Sequence, residues 1–579
     1  MYILGINCYY HDAAACLLKD GIVVAAAQEE RFTRVKHDAS FPQKAIDFCL
    51  DLAEIKAADL DYVVFGEKPF LKFERILKTI FSVYPRSWAL FQEAVTVWMS
   101  QKLWIKSTIE EKLGIHRQKI LFCEHHVSHA ASSFFCSPFS EAAILTCDGV
   151  GEWATTTLGR ASADWDGHGK NDMELFKEIK FPHSLGLLYS VFTAFLGFEV
   201  NEGEYKVMGM AAFGEPRHVD KIYKLITVAP DGSFRLDMKY FSYPCSSKKS
   251  FNERFEGLFG APRDPREKFE FSRERDGAYA DIAASIQKVC EEILLKMARA
   301  LYDMTKLKKL CLAGGVALNC VANARILAET PFEEIFIQPA SGDSGTAMGA
   351  ALYVYHVFLS QPRKFVLKHV FLGKEYSLQE IGAAVKNTGL SYRRIEDEAG
   401  LLDVVVNALM SGKAVGWFQG RFEWGPRALG HRSILADPRS PGMQDIVNTK
   451  IKFREPFRPF APSVLSSETE KLFDLGKFQG QSPLKFMLLT LKGKKEDMIP
   501  AATHADGSSR LQEVEEGSDP LYYRLIDAFF RKTGVPALLN TSFNLKGEPM
   551  VNSPEDAIST FLRSGLDMLA MGPFILEKS

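Results

Sequence analysis

The sequence predicts an α/β protein of two domains, and three observations carry that prediction. At 579 residues the chain is longer than one hydrophobic core ordinarily serves. Its first part, roughly 350 residues, alternates short apolar runs, many ending at Gly or Asp, with stretches of helical periodicity, the pattern of sheets and helices packed in layers. After Tyr355 the segment FLSQPRKFVLKHVFLG reads as a connector, and a second α/β pattern begins near Glu375.

In chain order, strands are predicted at 1–6, 14–18, 22–27, 62–65, 120–122, 142–147, 310–312 and 335–337. Residues 77–115 are rich in Trp and Phe at helical spacing and predict a helical insert, buried or lining a groove. Residues 231–275, polar and charged with Pro and aromatics, predict an irregular excursion before a helix over 278–302. No internal repeat or low-complexity tract is visible.

Composition excludes several classes. Formal net charge is -2 and the pI about 6.7, with no run of five basic residues, so nothing advertises a nucleic-acid or anionic-membrane surface. The N-terminus enters strand-like YILGINCYY without a basic leader, and no stretch of 18 uninterrupted apolar residues occurs, so a cytoplasmic protein is expected. Ten cysteines without a single CxxC, several inside apolar runs, argue against disulfides and a thiolate zinc site.

Chemistry first shows in CEHHVSHAASSFFCSPFSEAAILTCDG. His125 and His129 are four apart, so on a helix their imidazoles share a face, and Asp148 ends an apolar run. Asp343, in IFIQPASGDSG, could supply a fourth ligand. Two imidazoles and two carboxylates suit iron, zinc or manganese better than calcium. The turns INCYYHDAAACLL, LTCDGVGEWATTTLG and LCLAGGVALN place glycines at strand ends, where backbone N–H groups can approach phosphate oxygens. Gly149, Gly151, Gly314, Gly315 and Gly342, with Asn319, are the candidate nucleotide contacts, and His11 in the first turn is a candidate general base. Neither a P-loop nor a G-x-G-x-x-G motif occurs, whereas the succession of Gly/Asp turns resembles the ATPase architecture shared by actin, hexokinase and the heat-shock chaperones.

The second part is dense in cations and amides. Arg421, Arg427, Arg432, Lys452, Arg458 and Arg510 sit among Gly, Pro and aromatic residues, a setting that aims guanidinium forks inward at an anion. Asn540, Ser542 and Asn544 of NTSFN are suited to reading a carbamoyl or amide group.

Taken together, HDAAA, HHVSHAASSF, DGVGEW, GEYKVMGMAAFG, AGGVALN, WGPRALGHRSILADPR, FREPFRPFAPSV and LLNTSFNLKGEPMV resemble the NodU/CmcH-type O-carbamoyltransferases, a family that includes the tobramycin and cephalosporin carbamoyltransferases. The resemblance runs over nearly the whole chain. It implies an N-terminal ATPase domain of the actin, hexokinase and heat-shock-chaperone (ASKHA) fold over 1–360, responsible for carbamoyl transfer. It also implies a C-terminal YrdC-like α/β domain over 361–579 that uses carbamoyl phosphate and forms an adenylate. An iron-type metal would fall on His125, His129, Asp148 and Asp343, with Mn2+ or Zn2+ as alternatives. His11 would be catalytic, and Lys36 would contact nucleotide. Carbamoyl phosphate would be bound by Arg427, Lys452, Arg458, Arg510, Asn540 and Ser542. Three near neighbours, His126, Lys450 and Arg454, could take the roles of His125, Lys452 and Arg458.

The implied substrates are carbamoyl phosphate, ATP with Mg2+, and a hydroxylated small-molecule acceptor, in a natural-product or sugar pathway. Neither nucleic acid nor membrane is expected as a partner, and the oligomeric state is left open. The competing readings are an ATP-dependent tRNA-modifying enzyme of threonylcarbamoyl type, disfavoured by the absence of a basic surface signature, and a non-catalytic nucleotide-binding scaffold, in which the anion-gripping arginines would be idle.

Overall fold

A computed structural model describes residues 1–100, 102–167, 170–270 and 274–578. The chain divides into two compact units, one of Met1–Ala26 with Ala39–Leu367 and one of Ala27–Asp38 with Lys368–Ser579. The short segment Ala27–Asp38, which carries Lys36, therefore belongs with the C-terminal unit although it lies near the N-terminus.

The first unit holds two five-stranded sheets. Strands β1 (Tyr2–Asn7), β2 (Ala14–Lys19), β3 (Ile22–Gln28), β4 (Tyr62–Phe65) and β5 (Ile120–Phe122) run in the order β3-β2-β1-β4-β5. Strands β6 (Glu141–Cys147), β7 (Ala154–Ser162), β8 (Asp172–Lys180), β11 (Lys309–Ala313) and β12 (Glu334–Ile337) run in the order β12-β11-β6-β7-β8, while β9 (Ile226–Val228) and β10 (Phe234–Leu236) form a separate hairpin. In each large sheet the central strand, β1 or β6, is antiparallel to the strand that follows it and parallel to a later one, β4 or β11. A further parallel strand, β5 or β12, closes the edge. The two sheets thus share one topology, a doubled mixed sheet as expected of the actin and hexokinase type, although the sequence shows no repeat. Buried central strands such as LGIN and AAILTC demand only apolar residues of tolerable size, so the duplication leaves no mark on residue identity.

The structure adds to the sequence reading. The β7–β8 hairpin is not among the predicted strands: β8 (DMELFKEIK) carries five charges on a largely exposed edge, where charge guards against edge-to-edge pairing. The insert is helical as expected, with helices Pro69–Ser82, Trp88–Ser100 and Ile105–Leu113, yet Phe81, Trp88 and Trp104 are exposed and Trp98 alone of the three tryptophans is buried. Part of the excursion at 231–275 is ordered, with β10 and a helix at Glu253–Phe259.

Helix Ser344–Tyr353 packs against β1 and against helix His125–Phe134. The approach is so close that a Cβ at Gly349 would lie 1.8 Å from the Ser128 carbonyl oxygen. This crossing brings the N-terminal ends of both helices to one place.

The second unit is built on one eight-stranded mixed sheet. Its strands are β13 (Tyr392–Arg394), β14 (Val415–Phe418), β15 (Arg432–Ala436), β16 (Ala461–Leu465), β19 (Gln512–Val514), β20 (Ala537–Ser542), β21 (Met568–Met571) and β22 (Phe574–Glu577), in the order β13-β22-β21-β14-β15-β20-β16-β19. The short β17 (Leu491–Lys492) and β18 (Ser508–Ser509) pair apart from it. Helices Leu378–Asn387 and Pro554–Arg563 cover a core that includes Val385, Ile434, Leu539, Phe543 and Phe561. Both begin at serine capping boxes, Ser377 with Glu380 and Ser553 with Asp556. Among the described residues no helix is long and apolar enough to cross a membrane.

Candidate functional site

The first unit gathers four metal-ligand donors. His125 and His129 stand one turn apart on helix His125–Phe134, Asp148 follows β6, and Asp343 is the N-cap of helix Ser344–Tyr353. Their donor atoms all lie within 4.8 Å of one another. His125 Nε2 is 3.4 Å from Asp148 Oδ2 and 3.6 Å from Asp343 Oδ1, and His129 Nε2 is 4.0 and 3.9 Å from the same two oxygens. His126 faces away, its Nδ1 2.7 Å from Thr146 Oγ1, which itself bonds Thr157. Of the two neighbouring histidines, the geometry therefore brings His125 into the cluster.

The electrostatics is that of a site short of positive charge. Burial disfavours the His125 imidazolium, but Asp343 and Asp148 outweigh it and hold the pKa at about 9. Burial and the neighbouring His125 push His129 far down, so it stays neutral, as a ligating imidazole must. Burial raises Asp343, and its Oδ1 has no hydrogen-bond partner. Two buried carboxylates, one neutral imidazole and an orphaned carboxylate oxygen fit a divalent cation such as Fe2+, Mn2+ or Zn2+.

His11 stands beside this cluster, with Nε2 3.5 Å from Asp343 Oδ2 and Nδ1 2.9 Å from Asp12 Oδ2. Burial would lower its pKa, but Asp343 and Asp12 outweigh burial and raise it to about 9.

The glycine turns are tied to the donors. Gly314 adopts φ +92°, and a Cβ there would lie 2.2 Å from the Cys147 carbonyl oxygen, so only glycine fits. The Gly315 N–H donates to Asp148 Oδ1 at 2.7 Å, and Ser184 Oγ donates to the Gly149 carbonyl at 2.7 Å. A Cβ at Gly151 would lie 3.0 Å from His125 Cβ. Gly342 has open space beside Asp343. Asn319 accepts from the Ala322 N–H and exchanges two bonds with Gln287, the work of a helix cap.

Sequence reasoning missed three buried charged residues here. Glu152 accepts from the backbone N–H groups of His125 and Lys68, fixing the start of the histidine helix, and Lys72 pairs with Glu67. DGVGEW was singled out for its glycines, and nothing distinguished its Glu152 from a surface residue.

The second unit concentrates the opposite charge. Lys452 is 3% exposed and donates to the Ser542 carbonyl at 2.5 Å, to Ser542 Oγ at 3.1 Å and to Asn544 Oδ1 at 2.7 Å. Its contacts are neutral, and no carboxylate pairs with it among the described residues. Burial, followed by the charges of Arg454, Arg458 and Lys36, drives its pKa far below the ordinary lysine value. Lys450 is exposed, so Lys452 is the one turned inward. Arg454 Nε donates to Asn448 Oδ1 at 2.6 Å with its guanidinium over Phe460, and Arg458 lies 3.7 Å from Glu455. The charges of both act on Lys452.

Asn540 is buried, donating to the Ala428 carbonyl, Ser463 Oγ and Gln512 Oε1, so it braces the loop that carries Arg427. Glu423 shapes the same loop by accepting from the N–H groups of Leu429, His431 and Arg432. Arg510 acts electrostatically on His504. Of the six cations, two hold backbone: Arg421 donates to the carbonyls of Gly373 and Leu372, and Arg432 to those of Gln419 and Gly420 while stacking on Phe418.

Comparison with known proteins gives the chain its family. Residues 2–352 match the family described as Carbamoyltransferase N-terminus and residues 406–578 that described as Carbamoyltransferase C-terminus. An uncharacterised protein of Synechocystis sp. is 46% identical over 100% of this chain and 97% of its own length. Nodulation protein NolNO of Sinorhizobium fredii is 34% identical over 99% of this chain and 80% of its own. A 3'-hydroxymethylcephem-O-carbamoyltransferase of Streptomyces clavuligerus is 34% identical over 43% of this chain and 45% of its own.

Proposed function

Because the chain belongs to the carbamoyltransferase family, we propose that it is an ATP-dependent O-carbamoyltransferase whose two units perform successive half-reactions. The observation that carries this reading is Lys452, buried without a carboxylate partner and surrounded by the charges of Arg454, Arg458 and Lys36. A cluster of that sign asks for a multiply charged anion, and carbamoyl phosphate is the anion that a carbamoyl donor supplies.

In the second unit Arg427, Lys452, Arg458 and Arg510 grip the phosphate, while Asn540 and Ser542 position the loop and the lysine. Water attacks the carbonyl carbon of carbamoyl phosphate, the C–O bond to phosphate breaks, and phosphate leaves with carbamate as the other product. A carbamate oxygen then attacks the α-phosphorus of ATP, pyrophosphate departs, and carbamoyl-adenylate is formed. Lys36, placed with these cations, serves the nucleotide there, with Mg2+ accompanying ATP.

In the first unit an acceptor hydroxyl attacks the carbamoyl carbon and AMP leaves, giving a carbamate ester. His11 in its neutral form removes the hydroxyl proton, and Asp12 fixes its ring through Nδ1. His125, His129, Asp148 and Asp343 would hold a divalent metal, with Fe2+ the favoured ion, which supplies Lewis-acid polarisation to oxygen. Gly149, Gly151, Gly314, Gly315 and Gly342 shape the nucleotide-facing turns, and Asn319 secures the helix behind them. The acceptor is a hydroxylated small molecule.

The test is pyrophosphate release from ATP by the purified full chain. Release that requires carbamoyl phosphate is expected. Release independent of carbamoyl phosphate, or none under any condition, would contradict the reading.

A further inference from the structure

Helix Pro69–Ser82 carries two cations, Lys72 and Arg75, on its buried face. Lys72 is paired with Glu67. Arg75 is not paired. It is 6% exposed, its guanidinium sits 4.8 Å from the centre of the Phe181 ring, its Nε has no hydrogen-bond partner, and it makes no ion pair with any described residue. The nearby acids are already engaged: Glu67 holds Lys72, and Glu152 accepts from the backbone at Lys68 and His125. Burial lowers the Arg75 pKa to about 10, which still leaves it charged at neutral pH. With its Nε buried and lacking an acceptor, this guanidinium is only partly satisfied by the protein, through the Phe181 ring face.

Its place in the fold suggests what completes it. Asp343 lies 3.5 Å from His11, the His11 ring is 4.5 Å from that of Tyr10, and Lys72 Nζ stands 4.7 Å over the Tyr10 ring. Arg75 follows Lys72 by three residues, about one helical turn or ~5 Å further along the same buried face. An acceptor with its hydroxyl at His11 would extend past Tyr10 and Lys72 to present a group to Arg75.

We propose that Arg75 anchors an oxyanion of the acceptor, a carboxylate or an equivalent group, with Phe181 flanking it, so that the enzyme selects acidic hydroxylated acceptors over neutral ones. This rests on the carbamoyl-transfer reading and specifies its substrate class. The planar guanidinium fork matches a carboxylate bidentately, whereas a neutral acceptor would leave Arg75 buried and unsatisfied. Losing one charge-assisted contact corresponds to a discrimination of roughly 10- to 100-fold.

Two experiments on the full chain test it. Crystals soaked in selenate should show an anomalous peak within hydrogen-bond distance of the Arg75 guanidinium, absent in Arg75→Gln; no peak there in the wild type overturns the site whatever the enzyme does. Matched pairs of hydroxy acids and their methyl esters, a uronic acid and its ester among them, are then assayed by mass for gain of one carbamoyl group. Wild type should favour the acids by roughly 10- to 100-fold, Arg75→Gln should bring each pair near parity, and Arg75→Lys should recover part of the preference. Melting temperatures of both variants close to wild type establish that they fold. Equal use of acid and ester by the wild type, or failure to carbamoylate any acid, overturns the acceptor role. Carbamoyl-phosphate-dependent pyrophosphate release, measured alongside, separates the failures: if it is present this inference fails alone, and if it is absent the reading beneath it fails first.

Discussion

The two candidate sites bury charge of opposite sign. In the first, Asp148 and Asp343 face His125 and His129 with an acidic oxygen left over. In the second, Lys452 is wrapped by the neutral oxygens of Ser542 and Asn544, and the charges of Arg454, Arg458 and Lys36 act on it. Each cluster is electrostatically incomplete, and in opposite senses: one needs a cation held in place, the other an anion that comes and goes. On the proposed mechanism, the difference would let one chain separate carbamoyl activation from carbamoyl transfer, each half-reaction with its own buried field.

The sharpest way to break this comparison is to remove a donor from the acidic cluster. His129→Ala should lose stoichiometric metal by elemental analysis and nearly all acceptor carbamoylation, while pyrophosphate release in the other unit persists. Metal content equal to wild type would remove these four residues from consideration as its ligands. Next in size is His11→Ala, where loss of general-base help should slow transfer by about 10²–10⁴-fold. On the basic side, Arg510→Ala should weaken use of carbamoyl phosphate by roughly 10- to 100-fold, the worth of one charge-assisted contact, read as a rise in KM. An unchanged KM would detach Arg510 from the pocket.

How much of this was legible in the sequence differs between the clusters for a physical reason. The histidine pair is local: four residues on one helix declare a shared face, and an apolar run ending in Asp148 declares a strand end. The cation cluster is assembled from distant segments, and residue type alone does not sort its members. Arg421 and Arg432 sit among the same Gly and aromatic neighbours as Arg427, yet spend their donors on backbone carbonyls. Lys36 gave no sign that its segment joins the C-terminal unit. Lys72 and Arg75 were equally hidden, because cations on an amphipathic helix ordinarily point to solvent. The duplicated sheet escaped notice because topology is conserved by burial pattern and hydrogen bonding, which many sequences satisfy.

The smallest predicted effect sharpens the comparison from the side of packing. Gly349→Ala would force apart the helices that carry the histidines and Asp343. Overpacking there should destabilise the first unit by about 1–3 kcal/mol and reduce metal occupancy, with carbamoyl-phosphate-dependent pyrophosphate release retained at temperatures where the variant is folded. Thermal unfolding with and without added metal reads it, and a wild-type melting curve would show that the crossing tolerates more than its geometry allows.

The central claim, that activation and transfer belong to different units, is tested most directly by measuring pyrophosphate and carbamoylated product together in one reaction with His11→Ala. The account predicts pyrophosphate release close to wild type with product reduced by about 10²–10⁴-fold. Equal loss of both would place His11 in adenylate formation or folding and contradict the division of labour.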